Sequence, residues 1–316
     1  GGRYLESPHM YKIGKYYYLM AAEGGTEYGH MITYARSESV WGKFEGYPHN
    51  PVLTNRNKAP FIIQGIGHGD LIQDKNGEWH IICLGFRQIH MWMTYHHLGR
   101  ECFLIPVTFH KDGWFTAGNG TCEESYELSG DFAQLPLKTY TLENIGHDIC
   151  HLRHPHTENY SITKDKITLK GTDVTLDDVA SPTFAGVRQR DMDCSVSVSV
   201  SDGEGGLTVY SCETEHYDLA LRKNESGYEA ILRLNIGGIR HVEKAVQIPS
   251  GSAKLIIRSD SQVYKFFVQS QGEEIPMGFA MSKYLSSEVC GGFTGTVIGM
   301  YAVKGSAEFT DLRISY

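Results

Sequence analysis

The sequence predicts an all-β protein, and three observations support that prediction. Short apolar runs with period-two alternation recur from end to end, whereas the periodicity of amphipathic helices is scarce. Gly, Asp-Gly and Asn-Gly turn signals separate these runs. The chain has 316 residues, which is long enough for two domains that each bury a core. We therefore expect two all-β domains in succession.

The N-terminal part predicts two hairpins that resemble each other. Each joins two strands by a short turn: 10–13 and 16–20 around Gly14-Lys15, 70–73 and 78–82 around 74–77. The pair Asn76-Gly77 predicts a type I′ turn, which needs positive φ at both central residues. Tyr11 and Ile72 occupy matching places, 61 residues apart. A repeat of this length built from antiparallel strands favours propeller blades, each a small four-stranded sheet.

The C-terminal part predicts a two-sheet sandwich. From about residue 113 to residue 137 the sequence is irregular, which is typical of a boundary between domains. Five strands are then predicted, with polar turns between them, at 195–201, 206–210, 230–234, 254–258 and 264–269. Strands at such spacing are typical of sandwiches. We place the domains at 1–124 and 125–316.

Charge and cysteine usage exclude several classes of protein. The net charge is -8 and no block of Lys or Arg occurs, which argues against nucleic-acid and anionic-membrane partners. No apolar run approaches the roughly 20 residues that would span a bilayer. The seven cysteines are odd in number and form no C-x-x-C pair, so neither a zinc site nor a disulfide framework is expected. We expect the cysteines to be small buried residues of a protein in a reducing compartment, which predicts a cytoplasmic location.

Several polar residues in Gly-rich stretches are candidates for chemistry, and each has an alternative interpretation. In residues 65–70 three alternating glycines expose His68 and Asp70, either for ligand or metal contact or as a Gly-rich bend with a hydrogen-bonded His. No GKS/T ending or helix follows, so this is not a phosphate loop. Arg100 lies next to Glu101, and an ion pair with this or another carboxylate is favoured over ligand binding. Glu6, at a strand start in a Pro/His setting, is by itself more typical of a structural carboxylate than of a catalytic one.

Longer motifs give a more specific indication. Residues 6–12 (ESPHMYK), 17–26 (YYLMAAEGGT), 67–71 (GHGDL) and 98–107 (LGRECFLIPV) resemble, in order, the later part of a glycoside hydrolase family 43 catalytic domain of the β-xylosidase type. Residues 181–184, 186–190 and 291–302 resemble the domain that follows it in such enzymes. The resemblance implies a partial five-bladed β-propeller followed by a concanavalin A-like β-sandwich.

The same resemblance implies a reaction and an acid. Family members hydrolyse with inversion, using two aspartates and a general-acid Glu in an E-x-P-H motif, which falls on Glu6. Ser7 stands where the family usually has Gly. The acid and base of an inverting pair are held roughly 6.5–9.5 Å apart to admit water. Both family aspartates precede the motif, and this sequence starts five residues before Glu6. We therefore expect a cut sequence that holds the acid without its base, needs N-terminal blades as partners and is inactive alone.

Further site residues follow from the resemblance. His68 corresponds to a pocket histidine associated with a central metal ion, calcium in our expectation, or with a water cluster. Thr26 and Arg100 correspond to substrate contacts, and Phe293 to an aromatic at the rim of the pocket. No cofactor is expected to be required, and relatives assemble into homo-oligomers.

Three functions are left open by the sequence. The leading one is hydrolysis of terminal β-1,4-xylosyl residues of xylo-oligosaccharides. The first alternative is α-L-arabinofuranosidase activity on the same fold, because both substrates are pentosides with similar hydroxyls. The second alternative is a non-catalytic carbohydrate-binding or structural fragment.

Overall fold

A computed structural model describes residues 3–89, 93–127 and 139–316. The described residues form two compact units. The first comprises residues 3–89, 93–94 and 100–127, and the second comprises residues 95–99 and 139–316. Within these ranges, no helix has the length and apolar character needed to cross a membrane.

The first unit consists of two four-stranded antiparallel sheets, each with its strands in chain order. The strands of the first sheet are β1 (Glu6–Ile13), β2 (Tyr16–Glu23), β3 (Met31–Ser37) and β4 (Glu45–Gly46). Those of the second are β5 (Ile63–Gln73), β6 (Trp79–Arg87), β7 (Glu101–Phe109) and β8 (Phe115–Ala117). Two four-stranded meanders match the sheets that the repeat predicted.

The core of the first unit joins the two sheets. Tyr18, Met20 and Tyr34 of the first sheet pack in one cluster with Ile81 and Phe115 of the second. The rings of Tyr34 and Phe115 stack with centroids 3.9 Å apart. The Tyr34 hydroxyl also donates to the carbonyl oxygen of Phe115 and accepts from its N–H, both at 2.8 Å. Ring stacking and two hydrogen bonds at one buried position therefore fix the two sheets against each other.

Both predicted hairpins are present, but one turn differs from the prediction. β1 and β2 pair around Gly14, which has φ 57°. At the β5–β6 turn only Gly77 has positive φ, 86°, so the expected type I′ turn at Asn76-Gly77 is wrong. The loop closes instead through Asp74, whose Oδ1 accepts from the N–H groups of Asn76 and Glu78 at 2.8 Å. This Asx-type turn takes the place of the two-residue loop.

The second unit consists of two larger sheets and also contains short helical turns. Its strands are β9 (Tyr140–Thr141), β10 (Tyr160–Ile162), β11 (Ile167–Lys170), β12 (Thr183–Arg188), β13 (Cys194–Ser201), β14 (Glu204–Cys212), β15 (Glu215–Asn224), β16 (Gly227–Ile236), β17 (Ile239–Ile248), β18 (Ser252–Ser259), β19 (Val263–Ser270), β20 (Glu273–Met281), β21 (Val297–Lys304) and β22 (Ser306–Ser315). Helical turns lie at Gly146–Asp148, Thr157–Asn159, Ser282–Leu285 and α1 (Ser287–Cys290).

These strands form a sandwich around one apolar core. One sheet has the order β10-β11-β22-β13-β18-β19-β20, with β9 beside β22, and the other has the order β12-β21-β14-β15-β16-β17. Side chains of both sheets share a core, as the Ser-Val alternation of β13 illustrates: Val196, Val198 and Val200 are buried in it. All five predicted strands of this part are present. The boundary at 124/125 stays a prediction, and residues 128–137 of the predicted linking stretch lie outside the described residues.

Candidate active site

Glu6 and His68 come together in the first unit. Glu6 is the first residue of β1, and His68 lies within β5. His68 Nδ1 lies 3.6 Å from Glu6 Oε1, and each side chain keeps 46% of its surface exposed. The structure thus brings the predicted acid and the predicted pocket histidine to adjacent, accessible positions.

The backbone is irregular at both residues. The β1–β2 register shifts between Glu6 and His9, and the β5–β6 register shifts on either side of Gly67. Ser7 has φ 51° and His68 has φ 49°, a left-handed conformation that side chains other than Gly rarely adopt. Positive φ at Ser7 gives a physical reason for Gly as the usual family residue there. Bulges of this kind re-aim side chains out of a regular sheet.

A hydrogen-bonded chain links the start of β1 to β5. Ser7 Oγ lies 3.0 Å from His9 Nε2, and His9 Nδ1 lies 3.0 Å from Asp70 Oδ1. The Tyr11 hydroxyl donates to Asp70 Oδ1 at 3.3 Å and accepts from the Leu71 N–H at 2.9 Å. Burial raises the pKa of Tyr11, so its hydroxyl keeps its proton. Asp70 therefore acts as a hydrogen-bond acceptor that ties the E-x-P-H segment to the G-H-x-D segment.

Thr26 and Arg100 also come together. Arg100 Nη1 donates to Thr26 Oγ1 at 3.0 Å. The neighbouring Glu101 forms its ion pair with Arg87, at 2.9 Å between Nε and Oε1. Arg100 is half-buried in the described structure, so its guanidinium is partly held and partly accessible. A fixed guanidinium next to a hydroxyl is a suitable arrangement for sugar hydroxyls.

His30, at the end of the Gly-rich stretch 22–30, lies close to these residues. It is 1% exposed, and its Nδ1 lies 2.9 Å from the carbonyl oxygen of Gly65. Burial lowers the pKa of His30, and the charged groups that act on it include Glu6, His68 and Arg100. The sequence indicates it through that stretch, which gathers hydroxyl, carboxylate and imidazole groups next to a strand.

Phe293 belongs to the second unit. It lies between α1 and β21 with 45% of its surface exposed. Its predicted role at the rim of the pocket stays a prediction.

The residues near His68 do not by themselves form a calcium site. Calcium takes six to eight oxygen ligands. In the described part of the chain, one group of three ligating side chains lies within metal-binding distance, Asp74, Glu78 and His80, and it does not include His68. His68 offers one nitrogen with the Glu6 carboxylate beside it. We therefore assign no step of the chemistry to a metal ion, and the metal role of His68 stays a prediction.

The first unit therefore holds a carboxyl group beside an imidazole and a guanidinium hydrogen-bonded to a hydroxyl. The sequence profile described as "Glycosyl hydrolases family 43" matches residues 1–115. The profile described as "Beta xylosidase C-terminal Concanavalin A-like domain" matches residues 138–313. The chain belongs to glycosyl hydrolase family 43.

Individual relatives agree with this assignment. A non-reducing end alpha-L-arabinofuranosidase, BoGH43B of Bacteroides ovatus, is 37% identical over 96% of this chain and 60% of its own length. A xylosidase/arabinosidase of Butyrivibrio fibrisolvens is 27% identical over 94% of this chain and 60% of its own length. The chain thus spans about three fifths of the length of these relatives.

Solved structures show the same similarity. The Bacteroides ovatus xyloglucan GH43B structure matches with a TM-score of 0.90 and 35% identity, covering 100% of this chain and 66% of that one. A xylan beta-1,4-xylosidase from Bacillus halodurans matches with a TM-score of 0.89 and 26% identity, covering 99% of this chain and 65% of that one.

Proposed function

We propose that this chain supplies the general acid of a glycosidase that removes terminal pentosyl residues from plant-type oligosaccharides. Glu6 is the proposed acid. The observation that carries the proposal is the approach of His68 Nδ1 to within 3.6 Å of Glu6 Oε1, with both side chains accessible to a substrate.

In this proposal Glu6 donates its proton to the glycosidic oxygen as the bond to the sugar breaks. General acid assistance of this kind contributes on the order of 10²–10⁴-fold to the rate. His68 holds the carboxyl group in place, and Arg100 with Thr26 binds sugar hydroxyls. In an inverting reaction a second carboxylate, roughly 6.5–9.5 Å away, deprotonates the attacking water. We assign that base to the portion of the protein that corresponds to the rest of the relatives' length.

Open surfaces on both sheets of the first unit support this division. On the first sheet, a concavity of about 530 Å³ is lined by apolar and polar side chains, among them Leu19, Ala21 and Glu23. On the second sheet, Ile72 and Leu104 each leave 38% of their surface exposed. Clustered exposed apolar side chains are typical of surfaces that pack against another element. We propose that further blades cover both faces and complete a five-bladed propeller.

The substrate proposal has two members. An α-L-arabinofuranoside at a non-reducing end is favoured by the Bacteroides ovatus relative, which is 37% identical over 96% of this chain. A β-xyloside is favoured by the Bacillus subtilis beta-xylosidase, which is 40% identical over 34% of this chain. Both are pentosides, so the proposed contacts of Arg100 and Thr26 suit either.

The test uses the full-length protein with nitrophenyl α-L-arabinofuranoside and nitrophenyl β-xyloside. We expect the protein to release pentose from one or both nitrophenyl substrates and from oligosaccharides. We expect Glu6→Ala to lose the release of pentose from oligosaccharides. Binding of oligosaccharides without any hydrolysis would instead support the non-catalytic fragment. The preferred pentoside decides between the two substrates.

A further inference from the structure

His30 bridges the two sheets of the first unit beneath the proposed site. Its backbone N–H donates to the Glu27 carbonyl at 3.0 Å, and its own carbonyl accepts from Thr54 Oγ1 at 2.7 Å. Its ring reaches the second sheet, where Nδ1 donates to the carbonyl oxygen of Gly65, since a carbonyl only accepts. Two hydrogen bonds thereby hold the backbone of His30, and a third holds its ring against β5.

The face of the imidazole lies directly against Gly67. A Cβ atom at position 67 would come within 2.4–2.5 Å of three His30 ring atoms, closer than real Cβ contacts occur. Gly67 lies where the β5–β6 register shifts, and the next residue is His68 with φ 49°. His30 thus occupies the space under the bulge that presents His68 to Glu6.

We propose that His30 is a positioning residue for the general acid, which it serves by supporting the Gly67 bulge and, through it, the placement of His68 against Glu6. This inference rests on the proposed function of Glu6. Substituting His30 leaves a cavity under the bulge, and His68 is then free to move away from the carboxyl group. The atoms around such a cavity relax partly into it when a buried side chain is removed.

The experiment compares two substrates in the full-length protein. Acid assistance matters most for a poor leaving group, so a defect in positioning Glu6 falls on xylobiose or arabinobiose more than on the nitrophenyl pentosides. We expect His30→Ala to lower kcat on the disaccharide on the order of 10-fold more than on the nitrophenyl substrate. A purely structural role would lower both rates by the same factor, and that result would overturn the proposal.

A second variant approaches the same contact from the other side. Gly67→Ala places a methyl group against the ring, so it should produce the same selective loss. Because both changes act on one contact, the double variant should lose no more than the worse single variant. Losses that multiply would contradict the proposal. If His30→Ala does not fold, the test uses His30→Gln, whose amide can still donate to the carbonyl of Gly65. A greater loss of kcat on the disaccharide than on the nitrophenyl substrate is again expected, and equal losses would overturn the proposal.

The matched control is His80→Ala. His80 is also a buried histidine of the first unit, on β6, and its substitution should leave the ratio between the substrates unchanged. Glu6→Ala separates the two proposals. If Glu6→Ala shows selective loss on the disaccharide and His30→Ala does not, the positioning role fails while the proposed acid stands. If Glu6→Ala shows no selective loss, both fail.

Discussion

The hydroxyl of Ser7 lies 3.0 Å from Nε2 of His9, although Ser7 adopts φ 51°, a backbone conformation that favours glycine. The side chain at position 7 therefore has two opposing effects on stability. Its Cβ atom strains the backbone, and its hydroxyl forms a hydrogen bond that connects through His9 to Asp70.

Comparison of Ser7→Ala with Ser7→Gly separates the two effects. Both variants lose the hydroxyl, but only Ala keeps a Cβ at positive φ. We expect Ser7→Ala to be less stable than Ser7→Gly by about 1 kcal/mol in urea unfolding, because left-handed backbone costs about that much for a residue with a Cβ. Ser197, on the extended strand β13, is the matched control. There the order should reverse, since Gly weakens a strand interior. The same order at both positions would contradict the strain at Ser7.

A buried charge network in the second unit predicts a pH optimum of stability. Burial alone would lower the pKa of His216, but the charge of Asp218 and hydrogen bonds to Asp177 and Asp218 raise it to about 9. Burial alone would raise the pKa of Asp177, but the hydrogen bond from His216 and the charge of Arg233 lower it to about 2. The distances from His216 to the two carboxylates are 2.9 and 3.0 Å.

The sign of each contribution follows from these shifts. The pKa of His216 is raised, so its stabilisation is complete below about 6.5 and is lost as pH rises through 9. The pKa of Asp177 is lowered, so its stabilisation is complete above about 4 and is lost as pH falls through 2. We expect His216→Gln to remove most of the loss of unfolding free energy between pH 6.5 and 9, on the order of 3 kcal/mol. An unchanged slope in that window, measured by urea unfolding, would show that His216 does not titrate in this way.

Cys212 is predicted to be the most reactive thiol among the described cysteines. The neighbouring Cys290 thiol lowers the pKa of Cys212 to about 7, against burial and the hydrogen bond to Glu215, which both raise it. Burial instead raises the pKa of Cys122 and Cys194 to about 12. Because the thiolate is the nucleophile, iodoacetamide at pH 7 should label Cys212 first, as measured by peptide mass spectrometry. Cys290→Ala should slow that labelling. Equal labelling of Cys122 and Cys212 would contradict the prediction.

Sequence patterns predicted the strands better than the contacts between them. Turn signals located both hairpins of the first unit, and the alternation over 195–201 located the strand β13, whose valines are buried in the structure. These features are local, so a single stretch of sequence reveals them. The predicted type I′ turn at Asn76-Gly77 was wrong because the side chain of Asp74, which lies outside this pair, accepts the hydrogen bonds that close the loop.

Long-range contacts account for what the sequence did not predict. The need for Gly at position 67 comes from the ring of His30, which directly precedes β3 of the other sheet. Asp218 and His216 are buried although charged residues usually face solvent, because they pair with each other and Asp218 also pairs with Arg233. The motif resemblance indicated Glu6 and His68 separately, whereas their 3.6 Å approach depends on two bulges in different strands.

The most direct test of Glu6 as the general acid is how the rate of Glu6→Ala depends on the leaving group of the substrate. The full-length protein and this variant are compared on aryl pentosides whose phenols range from acidic to weakly acidic, and kcat/KM is measured for each. If Glu6 is the general acid, the variant should keep most of its rate with the most acidic phenol and lose progressively more, up to 10²–10⁴-fold, as the phenol becomes less acidic. A loss of the same size for every phenol would contradict the assignment of Glu6 as the acid.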